Sequence, residues 1–430
     1  MMMKILLVGS GGREHALAWK IRQSKLCETL YLAPGNPGMR GLGEMVDVKA
    51  NDVAGIVRAV KELGVELVVV GPEDPLAAGV VDALKEAGIK AFGPSRAGAQ
   101  LEADKAFSKK MMRDAAIPTA EGRVFTTLKS AIGFIETRTE PLVVKAAGLA
   151  KGKGVLICAD PVEALDAVRD IMEKKIFGDA GNTVVIEERL DGPEISLLAF
   201  VDGSHAYLLE GAQDHKRIGE GDTGPNTGGM GAFSPAPLLT DSVVEKVQRE
   251  VIVPLMDSLK RNEIEYRGIL YTGLMLTAGG PKVLEFNARF GDPECQALMV
   301  RLQSDLVEVM LATIEGRLDE MELRWDPRVA VCVVLASEGY GWKPDEQVKK
   351  GVEIVGLEEA AKVPDVQVFH AGTALADGKI VTSGGRVLGV TALGDTLEEA
   401  RKKAHEAIGK IRFEGMQWRK DIGVKSAKGR

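Results

Sequence analysis

The stretch Val283-Leu-Glu-Phe-Asn-Ala-Arg-Phe-Gly-Asp-Pro-Glu294 decides how the rest of the 430-residue chain is read. It begins as a β-strand. Strand side chains alternate with period two, so Leu284 and Phe286 are expected on one face and Glu285, Asn287 and Arg289 on the other. A carboxylate and an amide oxygen side by side are the hard donors that Mg²⁺ takes, and the arginine suits a phosphate or a carboxylate. Alone, the stretch fits equally a strand end whose polar groups bond to neighbouring backbone, so the decision falls to its partners elsewhere in the chain.

The bulk numbers narrow the class. At ~150 residues per domain the length suggests about three domains. Apolar content of 45%, aromatic content of 5% and 50 glycines fit an α/β protein with many tight loops. A net charge of −7 argues against a general nucleic-acid binder while leaving room for a local basic cleft. Cys27, Cys158, Cys295 and Cys332 stand far apart, without zinc spacing or a disulfide framework, which points to a reducing cytoplasm. No apolar run approaches the ~20 residues of a membrane span, and the apolar N-terminus runs straight into a glycine turn as a first buried strand.

From residue 4 to 93, apolar runs over 5–8, 29–32, 67–70 and 90–92 alternate with helical patterns over 14–24, 52–63 and 77–87, the signature of a doubly wound parallel sheet. The first turn, Gly9-Ser-Gly-Gly-Arg-Glu-His15, nearly spells a dinucleotide fingerprint but carries Glu14 where the third glycine belongs. No acid closes the next strand, so a nicotinamide cofactor is disfavoured. A glycine turn feeding a helix N-terminus remains, either a place for an anion or a plain tight turn. Gly71-Pro-Glu-Asp-Pro75 follows the third strand at the carboxyl edge, where Glu73 fits a sugar hydroxyl or a helix cap.

A helical stretch over 101–113, its lysines mostly solvated, leads to a smaller α/β unit. There Lys145 ends an apolar strand over 142–145 and Ala146-Ala-Gly-Leu-Ala-Lys-Gly-Lys-Gly154 joins it to a strand over 155–158. Such a loop offers ammonium groups and closely approachable backbone N–H groups to a polyphosphate, yet it is not a Walker loop, since a strand follows and Ser or Thr is missing. A flexible hairpin with surface lysines is the other reading. Past a helix over 161–172, an edge strand running through Glu188 to Leu190 can offer a carbonyl and an N–H to adenine, with Glu194 near ribose. Residues 213–232 form a long, polar, glycine-rich segment with Asp214, His215, Lys216 and Arg217, expected to be a mobile cover. A long helix over 242–262 and a strand over 270–276 lead into the opening stretch, followed by helices near 298–302 and over 306–315. A β-rich tail then has strands over 329–335, 343–349, 368–370, 380–382 and 386–391 and a helix over 397–411.

Taken together, Lys145, Gly148 and Lys151-Gly-Lys-Gly154, Glu187-Glu-Arg-Leu190 with Glu194, the segment from Asp214 to Ala232, and Glu285-Phe-Asn-Ala-Arg-Phe-Gly-Asp-Pro-Glu294 resemble the ATP-grasp ligases. More narrowly the chain is similar to the glycinamide ribonucleotide synthetase family. The match runs nearly end to end, through Gly71-Pro-Glu73, Asp222-Thr-Gly-Pro-Asn-Thr-Gly-Gly-Met-Gly231, His370-Ala-Gly-Thr373, Gly384-Gly-Arg386 and Arg419-Lys-Asp-Ile-Gly423.

The resemblance implies an α/β protein of three parts: an N-terminal doubly wound parallel sheet (1–102), a two-lobed ATP-grasp domain (103–326, small lobe about 121–190) and a small β-rich C-terminal domain (327–430). It implies ATP held by Lys105, Lys145, Gly148, Lys151, Gly152, Lys153, Gly154, Glu187, Glu188, Leu190 and Glu194, and Mg²⁺ or Mn²⁺ on Glu285 and Asn287. The preceding strand, with Gly273-Leu-Met-Leu-Thr277, lacks the acidic ligand that many such enzymes place there. It further implies glycine and 5-phosphoribosylamine as substrates, with Gly11, Gly12, Glu14, Glu73 and Asp292 on the acceptor side and Arg289, Asp214 and Lys216 in the chemistry. A cytoplasmic monomer or weak homo-oligomer without nucleic acid or membrane completes the expectation.

Overall fold

The computed structural model describes residues 2–150 and 152–424. Its first part is an all-parallel sheet in the order Glu44–Met45, Cys27–Pro34, Met3–Gly9, Leu67–Val70, Lys90–Phe92. Ile5, Leu6, Leu7 and Val8 are all fully buried, as expected of a parallel strand covered on both faces. Strand order reverses at Met3–Gly9, so the turns after Gly9 and Val70 flank the crevice outside the carboxyl ends.

Two helical patterns are broken where the chain needs a turn. The run expected over 77–87 is Glu73–Ala78 and Val80–Glu86, split because Gly79 adopts φ +88, a left-handed conformation that favours glycine. The run over 101–113 falls in Arg96–Ala103 and Lys105–Asp114. Asp104 caps the second helix by accepting from the Ala106 and Phe107 N–H groups.

A small lobe follows, an antiparallel sheet in the order Gly122–Phe125, Val184–Glu188, Leu142–Ala146, Val155–Cys158, backed by the helices Leu128–Ile135 and Pro161–Met172. Val184–Glu188 is therefore an interior strand and not the expected edge, and Leu190 lies just beyond the point where its pairing stops. The larger lobe is the antiparallel sheet Ala206–Leu208, Glu194–Val201, Gly268–Thr277, Gly280–Asn287. In its last strand the register slips between Val283 and Glu285, leaving Leu284 as an extra residue. Such a bulge interrupts the alternation. Val283 and Phe286 are both in the core, whereas Leu284, expected beside Phe286, lines the cleft with Glu285.

The fourth sheet has the order Gln213–Asp214, Gly231–Ser234, Val329–Ala336, Arg386–Gly394, Val366–His370. Both ends of the segment expected to be a mobile cover are thus strands of the C-terminal sheet, and its middle is the hairpin Arg217–Gly219 and Thr223–Asn226. Arg419, 1% exposed, pins that hairpin: it donates to the Arg217 carbonyl at 2.9 Å and pairs with Asp222 at 2.9 Å and Asp421 at 2.7 Å. The strand expected over 343–349 is a loop with one short 3-10 turn, Asp345–Gln347, since Pro344 supplies no ladder donor. One core cluster containing Leu7, Leu17, Phe200, Leu298 and Phe369 joins the N-terminal sheet, the large lobe and the C-terminal sheet. Among the described residues no helix is long and apolar enough to cross a membrane.

Arg419→Ala is expected to cost about 3 kcal/mol in a denaturant titration, the low end for a broken buried pair because Asp222 is partly solvated. Limited proteolysis should then cut within residues 217–226, and an unchanged digestion pattern would show that the hairpin holds without Arg419.

Candidate active site

A cavity of about 590 Å³ opens between the small lobe, the large lobe, the carboxyl edge of the N-terminal sheet and the 213–232 segment. Of the residues singled out above, it is lined by Lys105, Lys145, Gly152, Gly154, Glu187, Glu188, Leu190, Glu194, Asp214, Lys216, Glu285, Asn287, Arg289, Asp292 and Glu73. Gly148, Lys153, Gly11, Gly12 and Glu14 stand outside that lining, and Lys151 lies outside the described residues.

The cationic side of the cavity is built around a buried carboxylate. Glu187 pairs with Lys145 at 2.7 Å and with Lys109 at 2.6 Å, all three side chains being at most 10% exposed. Burial alone would raise the Glu187 carboxyl, but the two ammonium groups hold it below its ordinary value. Lys145 also donates to the Leu284 carbonyl at 3.2 Å, made available by the bulge, and Lys105 donates to the Gly148 carbonyl at 3.3 Å. Gly148 itself packs on Ala180, where a β-carbon would come within 2.7 Å of backbone, so it shapes the loop from behind. Lys153 reaches the other way, to Asp345 of the C-terminal part at 2.6 Å.

Opposite stands the acidic side. Lys216 sits between Glu194 at 3.1 Å and Glu285 at 3.7 Å, and those carboxylates with Asp214 raise it well above an ordinary lysine despite burial. Burial, which would raise Glu285, is outweighed by Lys216, Lys145 and Lys105, and its carboxyl is held down. Asp214 goes the other way: burial raises it, and Glu294, Glu194 and Glu285 add to this against Lys216. Glu294 is buried and accepts from the Ser196 hydroxyl at 3.2 Å and the Tyr271 hydroxyl at 3.0 Å.

The strand end continues into a buried ion network. Arg289 donates to Glu73 at 3.1 Å and to Glu102 at 2.6 Å. Against burial, Arg289 and Arg13 hold the Glu73 carboxyl at about 2, whereas burial pushes Glu102 up to about 7 although Arg289 opposes it.

The glycine turn encloses a carboxylate. Glu14 is 2% exposed, pairs with Arg13 at 2.5 Å and accepts the Gly11 N–H at 2.6 Å. β-Carbons at Gly9, Gly11 or Gly71 would each come within 2.7 Å of its side chain, so those glycines house a carboxylate. The Arg13 N–H goes to Asp292 at 3.4 Å, so two donors of this turn are already taken. Gly12 is packed against Gln296, and both Arg13 and Asp292 reach the cavity.

Family models cover this arrangement nearly end to end. Phosphoribosylglycinamide synthetase N domain matches residues 3–102, its ATP-grasp (A) domain 103–295 and its C domain 330–425. A phosphoribosylamine–glycine ligase of Rhodopirellula baltica is 51% identical over 429 residues, 98% of this chain and 97% of that protein. The chain belongs to the phosphoribosylglycinamide synthetase family. A crystal structure of the Thermotoga maritima phosphoribosylamine–glycine ligase superposes with a TM-score of 0.84 at 34% identity, over 98% of this chain and all of the other. The biotin carboxylase domain of the Hydrogenobacter thermophilus 2-oxoglutarate carboxylase, at 17% identity, shares the fold with a TM-score of 0.74, over 97% of this chain and 92% of that one.

Sequence reasoning missed three residues in this member of the synthetase family: Lys109, Glu102 and Arg13, all lining the cavity. Lys109 carried a readable signal, since it follows Lys105 by four positions on one helix face. Glu102 carried none, because its partner Arg289 is far away in sequence, and the neighbouring Glu14 that pairs with Arg13 does not show that Arg13 also reaches the remote Phe290 carbonyl.

The Glu73 network has a pH signature. Its carboxyl falls from an ordinary 4.5 to about 2 on folding. The stabilisation, about 3 kcal/mol, is therefore fully present above pH ~5 and is lost as pH drops toward 2. The stability difference between the native chain and Glu73→Gln should shrink over that window in denaturant titrations at several pH values. A difference independent of pH would remove the assignment.

Proposed function

We infer that the chain is the ATP-dependent ligase that joins glycine to 5-phosphoribosylamine, giving glycinamide ribonucleotide, ADP and phosphate in de novo purine synthesis. One observation carries the reading: Glu285 and Asn287 share a cleft with Lys105 and Lys145, in a chain about half identical to proteins named for this reaction. In this reading the polyphosphate lies along Lys105, Lys145 and the loop of Gly148, Lys151, Gly152, Lys153 and Gly154, with Glu187 fixing Lys145. Adenine takes the backbone of Glu188 and Leu190, and Glu194 takes ribose. Lys153 must leave Asp345 to reach a phosphate, which an exposed pair permits at ~1 kcal/mol or less.

A glycine carboxylate oxygen attacks the γ-phosphorus, and the bond to the bridging oxygen of ADP breaks. The amine nitrogen of phosphoribosylamine then attacks the carbonyl carbon of glycyl phosphate, phosphate leaves, and the nitrogen gives up its proton. No enzyme nucleophile is needed, so the chain's task is to place reactants and offset charge. Lys105, Lys145, Lys216 and Arg289 supply positive charge, and Asp214, holding its proton more readily than a surface aspartate, can donate a hydrogen bond to a reacting oxygen. The acceptor takes the end of the cleft bounded by Glu73, Arg289 and Asp292. Acyl phosphates hydrolyse readily, which suits a cover anchored in the C-terminal sheet.

The residues present fit a divalent cation. Glu285 is ionised and Asn287 adds an amide oxygen beside it, and Mg²⁺ characteristically takes one or two such protein oxygens and completes its shell with substrate phosphates and water. When bound there, Mg²⁺ or Mn²⁺ would neutralise phosphate charge. The reading implies a cytoplasmic monomer or weak homo-oligomer, and all four cysteines are buried free thiols.

Glycine-dependent ADP release with freshly made phosphoribosylamine tests the reaction, and no release in the presence of all three substrates would refute it. Glu285→Ala should lower kcat at least 10³-fold while metal-free ATP binding stays within a few-fold. Unaltered ligase activity in that variant would sink the metal assignment.

A further inference from the structure

Glu102 lies near the end of the helix Arg96–Ala103, is 8% exposed, and grips three consecutive residues of the strand end that follows Phe286. Its Oε2 accepts the Ala288 N–H at 2.7 Å and its Oε1 accepts from Arg289 Nη2 at 2.6 Å. The third partner is the side chain of Asn287. Hydrogen bonding assigns the amide orientation: with its nitrogen toward Glu102, Asn287 donates to Glu102 Oε1 and to the Phe286 carbonyl, each at 3.2 Å. The opposite orientation would set the amide oxygen against two acceptors. An asparagine serves a cation only through its oxygen, since its NH₂ is a donor.

We propose that Glu102 is a positioning residue that turns Asn287 so that its amide oxygen, and not its nitrogen, is presented to the divalent cation bound with the nucleotide. This rests on the assignment of Asn287 to the cation under Proposed function. A carboxylate is required at 102 because both of its oxygens face donors. Glutamine would have to place an NH₂ either against the Ala288 N–H, where donor meets donor, or against Asn287 and Arg289. In the second arrangement the Asn287 amide turns over, accepts from Gln at 102, and offers its own NH₂ to the cation. Glu102 thus acts through Asn287 without touching the reacting atoms.

The test is Mn²⁺ binding to the full-length chain with a non-hydrolysable ATP analogue at pH 8, followed by the electron paramagnetic resonance signal of free Mn²⁺. Glu102→Gln and Asn287→Ala should each weaken Mn²⁺ at least tenfold, with metal-free nucleotide affinity within about twofold of the native chain. The double variant Glu102→Gln with Asn287→Asp should regain most of the loss, because one Asp oxygen accepts from the new amide and the other faces the cation. Native Mn²⁺ affinity in Glu102→Gln while Asn287→Ala loses it overturns the proposal and leaves the cation assignment standing. Native affinity in Asn287→Ala overturns both. A Glu102→Gln loss that the double variant does not recover marks a general disturbance of the strand end and also overturns the proposal.

Discussion

Arg289 is held in the interior between two carboxylates from different parts of the chain, Glu73 at the edge of the N-terminal sheet and Glu102 on the helix entering the ATP-grasp segment. A buried guanidinium is tolerated only when its hydrogen bonds are met, and removing either partner leaves an uncompensated charge. The requirement fixes the N-terminal sheet against the end of the strand Gly280–Asn287. The cleft exists because those two surfaces meet there, and Glu285 and Asn287 occupy the last turns of chain before the arginine that makes the joint.

A second buried carboxylate does the same for the small lobe. Glu187 is unusual in facing two ammonium groups at 2.7 Å or less, one from the helix Lys105–Asp114 and one from its neighbouring strand. Lysine is a flexible point charge with costly rotamer freedom. Anchoring Lys145 to Glu187 and to the Leu284 carbonyl removes that freedom in advance, and the carbonyl is available because a bulge interrupts the ladder at Leu284. The irregularity in the strand and the placement of the lysine are one feature. The 213–232 segment follows a similar logic, its hairpin tied down by Arg419 and its ends built into the C-terminal sheet.

Periodicity predicted the elements well where burial was uniform. The strands over 67–70, 90–92 and 155–158 and the helices over 161–172 and 306–315 have the observed bounds. It failed where one residue changes the local geometry: Gly79 splits a helix, Asp104 caps a new one, and the bulge at Leu284 reverses a face. Among the site residues, most of those drawn from contiguous motifs line the cleft. Glu14 does not, because the pattern of glycines that suggested a ligand turn is equally the pattern needed to enclose its carboxylate. Most of the lysines over 101–113 are expected in solvent, yet Lys109 faces inward, since its partner Glu187 comes from a strand too far along the chain for helical spacing to show.

By itself the sequence determined the class of each segment, the parallel N-terminal sheet, the glycine-lysine loop and the oxygen donors at 285 and 287, because these depend on side-chain chemistry and short-range spacing. Only the tertiary structure decided which charges meet. Arg289 with Glu73 and Glu102, Lys109 with Glu187, and the orientation of the Asn287 amide are set by long-range packing. In a buried site the energy of a charge depends on the groups within a few ångströms of it and hardly at all on its neighbours in sequence.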